Sequence, residues 1–277
     1  MAIKDLAVAY NGSSNAGTAL ACAVRMCRKY RATLTGVYVH LPLGVGREVA
    51  RWATQDILDG IRRTDQQAAG RIQAKFHESL HDLGFDGPVE WVVEQGTVNE
   101  SLSRFARYHD LLLMGQYSEP DDRPAQVRAE DLVMRAGRPV LIVPIDYRPR
   151  DFSEYAVVAW DGSRPAARAL TDAMQILETK TRLDVVTVIR GGEGEQAPRP
   201  GRDVIRHLQR HGVDARRVWL PASRGGVGRA ILDYCRQHQP DLLVMGAYGH
   251  ARLREDLFGG VTRQVLDSMC VPGMMSH

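Results

Sequence analysis

Glycines between positions 246 and 262 form the part of the sequence best suited to bind a phosphate group. The segment reads GAYGHARLREDLFGGVT and has glycines at its two ends, at Gly246, Gly249, Gly259 and Gly260. Glycine has no Cβ, so its backbone N–H group can approach a ligand closely. A helix that follows such a turn adds unpaired N–H groups and the positive end of its dipole. The pattern predicts a phosphate cradle built mainly from backbone donors.

A strand and a helix must flank this loop to hold it in place. The apolar run Leu242–Met245 precedes it and is typical of a strand covered on both faces, and the residues from 261 to 269 have helical spacing. A second polar turn, Asp161-Gly162-Ser163, follows another apolar run. Doubly wound sheets bind ligands outside the carboxyl ends of their strands, where the strand order reverses. We expect both turns at that place.

The order of strands and helices occurs twice in the 277 residues. The matching stretches are Leu6–Ser13 with Tyr155–Ser163, Leu34–His40 with Leu183–Ile189, Trp91–Val93 with Val218–Leu220, and Asp110–Gly115 with Asp241–Gly246. Tandem duplication explains so regular a repeat. A polar stretch containing a proline, residues 146–151, divides the chain into two predicted domains, 1–146 and 152–277.

Each half alternates strands with helices, and its strand runs are almost continuously apolar. This pattern predicts two tandem doubly wound five-stranded parallel α/β sandwiches of the Rossmann-like class. The last strand run, Val271–Met275, has Gly273 where the first half has Val140, which predicts a weak final strand. Residues 47–83 are predicted to be mostly helical, and they suit a lid, a partner-binding surface or plain packing.

The composition indicates a soluble globular protein, with 44% hydrophobic and 25% charged residues. A net charge of +3 is too small to favour nucleic acid as a partner. The sequence has neither an apolar run long enough to span a membrane nor a signal-peptide pattern, so the expected compartment is the cytoplasm. The cysteines have no metal-binding spacing and are expected to be buried free thiols.

The second half resembles a universal stress protein domain over about 125 residues, taken from its strand and loop pattern. The family's signature is Gly, two residues, Gly, nine residues, Gly, and then Ser or Thr. Gly246, Gly249 and Gly259 fit that spacing, whereas Gly260 stands at the Ser or Thr position. The resemblance implies the adenine-nucleotide alpha-hydrolase-like variety of the Rossmann-like fold. In members that bind nucleotides, the loop holds the ribose and phosphates of ATP.

The resemblance further implies one competent nucleotide site, in the second half. Asp161 would contact the nucleoside, and Val188 would line the adenine pocket. The ribose and phosphates would be surrounded by Met245, Gly246, Gly249, Gly259, Gly260 and Val261, with Thr262 supplying a hydroxyl or capping the helix. The basic residues nearby either meet phosphate or form a solvated loop face; they are His250, Arg252 and Arg254. No catalytic residue and no metal ligand is assigned.

The first half matches the same strand pattern but not the loop. Asn11 stands where the second half has Asp161, Ser118 replaces the second glycine, and residues 119–122 include three acidic side chains that would repel phosphate. We therefore expect this half not to bind ATP in the same way. Its expected role is that of a pseudo-symmetric partner within one chain, an intramolecular pseudo-dimer, and further homodimerisation stays open.

The predicted function is that of an adenine-nucleotide-binding regulatory protein of the stress response. The ligand would be ATP or another adenine nucleotide, with or without Mg²⁺, and neither nucleic acid nor a membrane is an expected partner. No GxxxxGK[ST] motif is present, which argues against an ordinary motor-type ATPase. Two alternatives remain: a slow ATP hydrolase, and a nucleotide-free protein-interaction module in which Gly260 marks the decay of the site.

Overall fold

Strands and helices alternate in the computed structural model, which describes residues 3–40, 54–117, 127–148, 154–189, 202–248 and 260–277. The strands are β1 Asp5–Ala9, β2 Thr33–His40, β3 Val89–Gln95, β4 Leu111–Gly115, β5 Val140–Val143, β6 Tyr155–Ala159, β7 Arg182–Ile189, β8 Ala215–Pro221, β9 Leu242–Gly246 and β10 Gly273–Ser276. The helices are α1 Ser14–Tyr30, α2 Gln55–Asp82, α3 Val98–Ala106, α4 Ala129–Ala136, α5 Arg164–Leu177, α6 Arg202–Arg210, α7 Gly226–His238 and α8 Gly260–Ser268.

These strands join in a single sheet, in the order β3-β2-β1-β4-β5-β10-β9-β6-β7-β8. Pairing is parallel within each half and antiparallel only between β5 and β10, among the strands of the described residues. In each half the first and fourth strands are neighbours, so the strand order reverses there as in a doubly wound sheet. The predicted fold class, with two tandem Rossmann-like units, is confirmed.

Both faces of the sheet are covered, which explains the continuously apolar strand runs. In β4, Leu111 and Leu113 enter the hydrophobic core on one face, whereas Leu112 and Met114 enter the core on the other. Each of these two cores contains residues of both halves. The halves are therefore joined by buried apolar packing as well as by the β5–β10 hydrogen bonds.

The final strand forms in spite of Gly273, and the expected weakness is not seen. Residues 273–275 pair with β5 on one side and with β9 on the other. A Cβ at Gly273 would lie 2.8 Å from the terminal methyl group of Met269. The glycine therefore leaves room for a packed side chain on a strand that is already fixed along both edges.

Helix α2 accounts for much of the stretch that was predicted to be helical, and residues 47–53 lie outside the described residues. Phe76 and Leu80 are the buried residues of the helix, and Phe76 contacts the backbone of Gly36 so closely that a Cβ there would collide with its ring. The end of α2 thus has a packing role, and the lid and partner-surface roles remain predictions for its beginning. Neither α2 nor any other described helix is long and apolar enough to cross a membrane.

The sequence comparison of the third strands was wrong by one residue. Trp91 pairs with Gly36 in the first half, and Val185, which corresponds to Gly36, pairs with Arg217 in the second. Trp91 therefore corresponds to Arg217 and not to Val218. The comparison went wrong because the strand has no turn residue to fix its register.

The cysteine prediction is correct for three of the four thiols. Cys22, Cys27 and Cys235 are buried, and burial raises the pKa of each thiol to about 12. Cys270 is exposed, contrary to expectation, since it lies in the short connection between α8 and β10.

A buried carboxylate that the sequence did not single out links four elements of the second half. Asp184 in β7 is 0% exposed and accepts hydrogen bonds from the hydroxyl groups of Tyr155 at 2.6 Å and Tyr234 at 2.7 Å. Its Oδ1 also pairs with Nε of Arg216 at 2.8 Å. Burial by itself would raise the pKa of Asp184, but these donors outweigh it and hold the pKa well below its usual range. The cluster ties β6, β7, β8 and α7 together.

We expect Asp184→Asn to lower the free energy of unfolding by about 3 kcal/mol, because it removes the charge that satisfies the buried donors. The matched variant Asp233→Asn, on the exposed face of α7, should cost less than about 1 kcal/mol. The carboxylate's pKa is lower in the folded chain, so its contribution is complete above about pH 4 and shrinks as the pH falls further. Urea unfolding between pH 7 and pH 3 measures both effects, and an equal loss for the two variants would contradict the assignment.

Candidate functional site

The predicted site residues of the second half gather at one edge of the sheet. Strands β6 and β9 run in parallel and remain paired up to Ala159 and Met245, so they end side by side. Asp161 follows β6, Gly246 ends β9, and Val188 is the last residue but one of the neighbouring β7. This is the point where the strand order reverses, as expected for a ligand site in such a fold.

The turn after β6 is held by its own side chains. Oδ1 of Asp161 accepts a hydrogen bond from the N–H group of Ser163 at 2.9 Å. The hydroxyl of Ser163 in turn accepts from Ala166 N at 3.3 Å and caps the start of α5. Gly162 has a φ of 78°, which a residue with a side chain rarely adopts. The turn therefore fixes the exposed carboxyl group of Asp161 at the edge of the sheet.

Gly246 is required by packing, whatever its contact with a ligand. A Cβ on Gly246 would fall on the backbone of Pro165 and Ala166 in the first turn of α5. The corresponding Gly115 of the first half lies equally close to the backbone of Asn15 in α1. Because both halves keep this close approach, the glycine at the end of the fourth strand is not in itself evidence of nucleotide binding.

The two ends of the signature loop are joined by a hydrogen bond. The N–H group of Tyr248, just before the loop's undescribed part, donates to the hydroxyl of Thr262 at 3.3 Å. Thr262 is 4% exposed and lies inside the first turn of α8, which begins at Gly260, so it is not at the cap position. Its hydroxyl therefore helps to close the loop, a role that the sequence reasoning did not consider.

The beginning of α8 offers backbone donors at the same edge that have no partner among the described residues. The first N–H groups of a helix have no partner within it, so those of Gly260, Val261 and Thr262 are suited to an anion. Gly260 is exposed, and a Cβ there would meet no atom of the described residues within 4 Å. Met245 is buried, so only its backbone faces the edge. The remaining predicted contacts lie outside the described residues; they are Gly249, His250, Arg252, Arg254 and Gly259.

The first half treats the equivalent place differently. Tyr117 lies near the turn that corresponds to the one at Asp161: burial raises the pKa of its hydroxyl, and the neighbouring side chains of Ser13 and Asn11 lower it in part. Tyr248 occupies the matching position after β9, and its buried hydroxyl has no partner among the described residues. Both tyrosines stand two residues after the glycine of the fourth strand, a repeat that the sequence reasoning could have noted. Residues 118–126, with the acidic loop, lie outside the described residues.

Among the residues that the structure describes, no group of three or more His, Cys, Asp or Glu side chains is arranged to hold a metal ion. The polar groups at the edge are a carboxylate, which accepts hydrogen bonds, on one side and helix N–H groups, which donate them, on the other. This combination can accept hydrogen bonds from hydroxyl groups and donate them to an anion. A ligand with a polyhydroxylated part and a phosphate matches both ends.

We expect Gly246→Ala to lower the free energy of unfolding by about 2–3 kcal/mol, because the new methyl group must displace the start of α5. Gly260→Ala is the matched control, since its methyl group has open space and should leave stability almost unchanged or slightly improved. Thermal unfolding of the two variants makes the comparison. Equal melting temperatures would show that β9 and α5 are not in such close contact.

Comparisons with known proteins agree with the fold. The sequence model of the universal stress protein family matches residues 155–276. A universal stress protein of Synechocystis sp. is 24% identical over 215 residues, which are 76% of this chain and 72% of the relative. The solved universal stress protein of Archaeoglobus fulgidus has a TM-score of 0.69 at 14% identity and covers 98% of this chain and 95% of its own.

A second solved structure, from Pseudomonas aeruginosa, has a TM-score of 0.62 at 14% identity and covers 99% of this chain and 93% of its own. At such identities the two structures establish the fold over the length of both halves. The sequence match to the family lies in the second half, where the glycine pattern was found. Residues 155–276 therefore match a universal stress protein domain, and the chain is similar over most of its length to a universal stress protein.

Proposed function

We propose that the second half, residues 152–277, binds an adenine nucleotide and that ATP is its leading ligand. One observation carries the proposal: the exposed carboxyl group of Asp161 and the N–H groups at the start of α8, which have no partner among the described residues, belong to the same edge of the sheet. A nucleoside triphosphate has hydroxyl groups at one end and phosphates at the other, and these two kinds of protein group match it.

Each part of the site has a definite task in this proposal. Asp161 accepts a hydrogen bond from the nucleoside, and the apolar side chain of Val188 lines the adenine ring. The backbone at Gly246 and Gly260 approaches the ribose and phosphates, and the dipole of α8 stabilises the negative charge. The residues of the loop outside the described ranges complete the cradle, with Gly249 and Gly259 as its turns and with His250, Arg252 and Arg254 as basic neighbours.

The same proposal gives the protein a regulatory and not an efficient catalytic role. Catalysis of phosphate transfer needs a positioned base and charge that stabilises the transition state. Asp161 is the carboxylate identified at this edge, and its Oδ1 already accepts from Ser163 N. Binding that changes the state of the protein is therefore the simpler use of the site.

The first half, residues 1–146, would then be the pseudo-symmetric partner that does not bind ATP in this way. Its turn keeps the geometry of the second half, since Asn11 Oδ1 accepts from Ser13 N at 3.0 Å. It lacks the charge, because Asn11 stands where the second half has Asp161. The antiparallel contact between β5 and β10 supports an intramolecular pseudo-dimer.

Two measurements on the purified chain test the proposal. We expect mass spectrometry of the denatured protein to detect a co-purified adenine nucleotide, and we expect added ATP to raise the melting temperature by mass action. Asp161→Ala should remove most of that rise, whereas the matched variant Asn11→Ala in the first half should keep it. Absence of both the nucleotide and the rise would instead favour a nucleotide-free interaction module. Phosphate release that is lost in Asp161→Ala would reveal slow hydrolysis.

We also expect Gly260→Ser to bind ATP about 2- to 10-fold more tightly, since one added neutral hydrogen bond contributes about 0.5–1.5 kcal/mol. The new side chain has space on the side of the described residues, because a Cβ at this position meets none of their atoms within 4 Å. Gly260→Ala separates the hydroxyl from the loss of backbone freedom, and should bind ATP as the parent does. Isothermal titration calorimetry measures the difference. An unchanged or weaker affinity in Gly260→Ser would contradict the proposed position of the phosphates.

A further inference from the structure

Gln116 connects the first half to a helix of the second half. It follows β4 and is 8% exposed. Its Nε2 donates to the carbonyl oxygen of Leu266 in α8 at 2.6 Å, and its Oε1 accepts from Ile145 N at 3.3 Å. The backbone is held as well, since its N–H group donates to Val143 O at 2.7 Å and its carbonyl accepts from Asn15 Nδ2 at 2.9 Å. The side chain is thus fixed where it meets α8.

The sheet topology explains why this contact matters for the other half. Because β5 and β10 are antiparallel, the carboxyl edge of the first half lies beside the amino edge of the second. Helix α8 connects the parallel strands β9 and β10, so it starts at the candidate site and ends at that amino edge. Leu266 lies in its last turn, where carbonyl groups have no partner within the helix. Gln116 belongs to the other half and supplies one of the missing donors across the boundary formed by β5 and β10.

The other end of α8 is tied by its own half. The hydroxyl of Thr262 accepts from Tyr248 N, which fixes the first turn to the end of β9. The middle of the helix is buried through Val265 and Leu266 in a core that both halves share. A shift of α8 along its axis would therefore have to break one hydrogen bond at each end.

The contact is not reciprocated by the corresponding residue of the second half. Ala247 occupies the position after β9 that Gln116 occupies after β4, because both residues follow the glycine that ends the fourth strand. Its methyl group has no donor to offer, so it cannot hold the matching helix α4 of the first half in the same way. The first half thus holds α8 through Gln116, whereas the end of α4 is met from the second half by a different side chain, Arg168 of α5, whose Nη2 donates to Gly137 O at 3.4 Å.

We propose that Gln116 is a positioning residue for the nucleotide site of the other half, which it serves by fixing α8 and thereby the N–H groups at positions 260–262. This inference rests on the proposed function of that site. Gln116 does not touch the nucleotide. It sets the distance between the start of α8 and Asp161, and so the fit of a ligand that must reach both.

The test replaces Gln116 by methionine in the full chain, which removes the donor at nearly the same side-chain volume. We expect the affinity for ATP to fall about 5- to 10-fold, since the buried hydrogen bond to Leu266 is lost. The bond from Ile145 N is lost with it, but it lies within the first half. Amide hydrogen exchange, followed without nucleotide, should become faster in α8 and stay unchanged in α5. Gln116→Asn, which is too short to reach Leu266, should behave in the same way and serves if the methionine variant does not fold.

Asp184→Asn is the matched control for lost stability. Its carboxylate lies near the amino end of β7, and its effect on the free energy of unfolding should be at least as large. Well below its melting temperature it should bind ATP as the parent does, whereas Gln116→Met should not. Equal losses of affinity in the two variants would show that stability alone matters and would overturn the positioning role.

The exchange measurement keeps this inference separate from the proposed function. If the parent chain binds no ATP, the proposed function fails, and the exchange of α8 still decides whether Gln116 holds that helix. Unchanged exchange in α8 on Gln116→Met would overturn the inference, whatever happens to the affinity. Faster exchange in α8 and α5 alike would overturn it too, because the loss would then be general.

Discussion

The antiparallel pairing of β5 with β10 is the contact on which the rest of the molecule depends. It turns two five-stranded units into one sheet and sets the carboxyl edge of each beside the amino edge of the other. Both cores can then extend across the boundary between the halves. Charged groups also meet at this boundary: Lys29 pairs with Glu154 at 2.6 Å, and Glu154 pairs with the buried side chain of Lys180 at 3.3 Å. At this boundary between the halves, Gln116 at the carboxyl edge of the first half reaches the last turn of α8. That helix starts at the carboxyl edge of the second half, on the opposite side of the sheet.

Duplication has left the two halves with the same backbone plan and with different chemistry. Both keep the left-handed glycine of the turn, the serine cap and the close contact of the fourth strand with the first turn of the first helix in the same half. These features are demanded by packing. The carboxylate is not demanded by packing, and it is found in the second half, whereas the first half has the amide of Asn11 at this position. A comparison of the halves thus separates what the fold needs from what a ligand would need.

Sequence reasoning reached the fold and the position of the turns because both depend on local patterns. Apolar runs, turn glycines and the repeat were enough to predict each half and to bring Asp161 and Gly246 to one edge. It could not reach contacts between side chains far apart in the chain, such as Gln116 with Leu266, 150 residues away, or the donors around Asp184. It gave too much weight to Gly273, because the stability of a strand depends also on the strands that pair with its two edges. It misaligned Trp91 by one residue, because no turn residue fixes the register of that strand.

The single alanine at position 247 has a consequence for how such an arrangement can arise. In a symmetric homodimer each copy carries the same residue after its fourth strand. A glutamine that holds the helix of the other copy must then also stand at the start of its own copy's nucleotide loop. Joining two copies in one polypeptide removes that restriction, because each then mutates on its own. Gln116 can be present in one half and Ala247 in the other. The residue that holds the neighbouring helix and the residue at the start of the nucleotide loop then need not be the same type. Covalent fusion thereby permits a division of labour that symmetry would forbid.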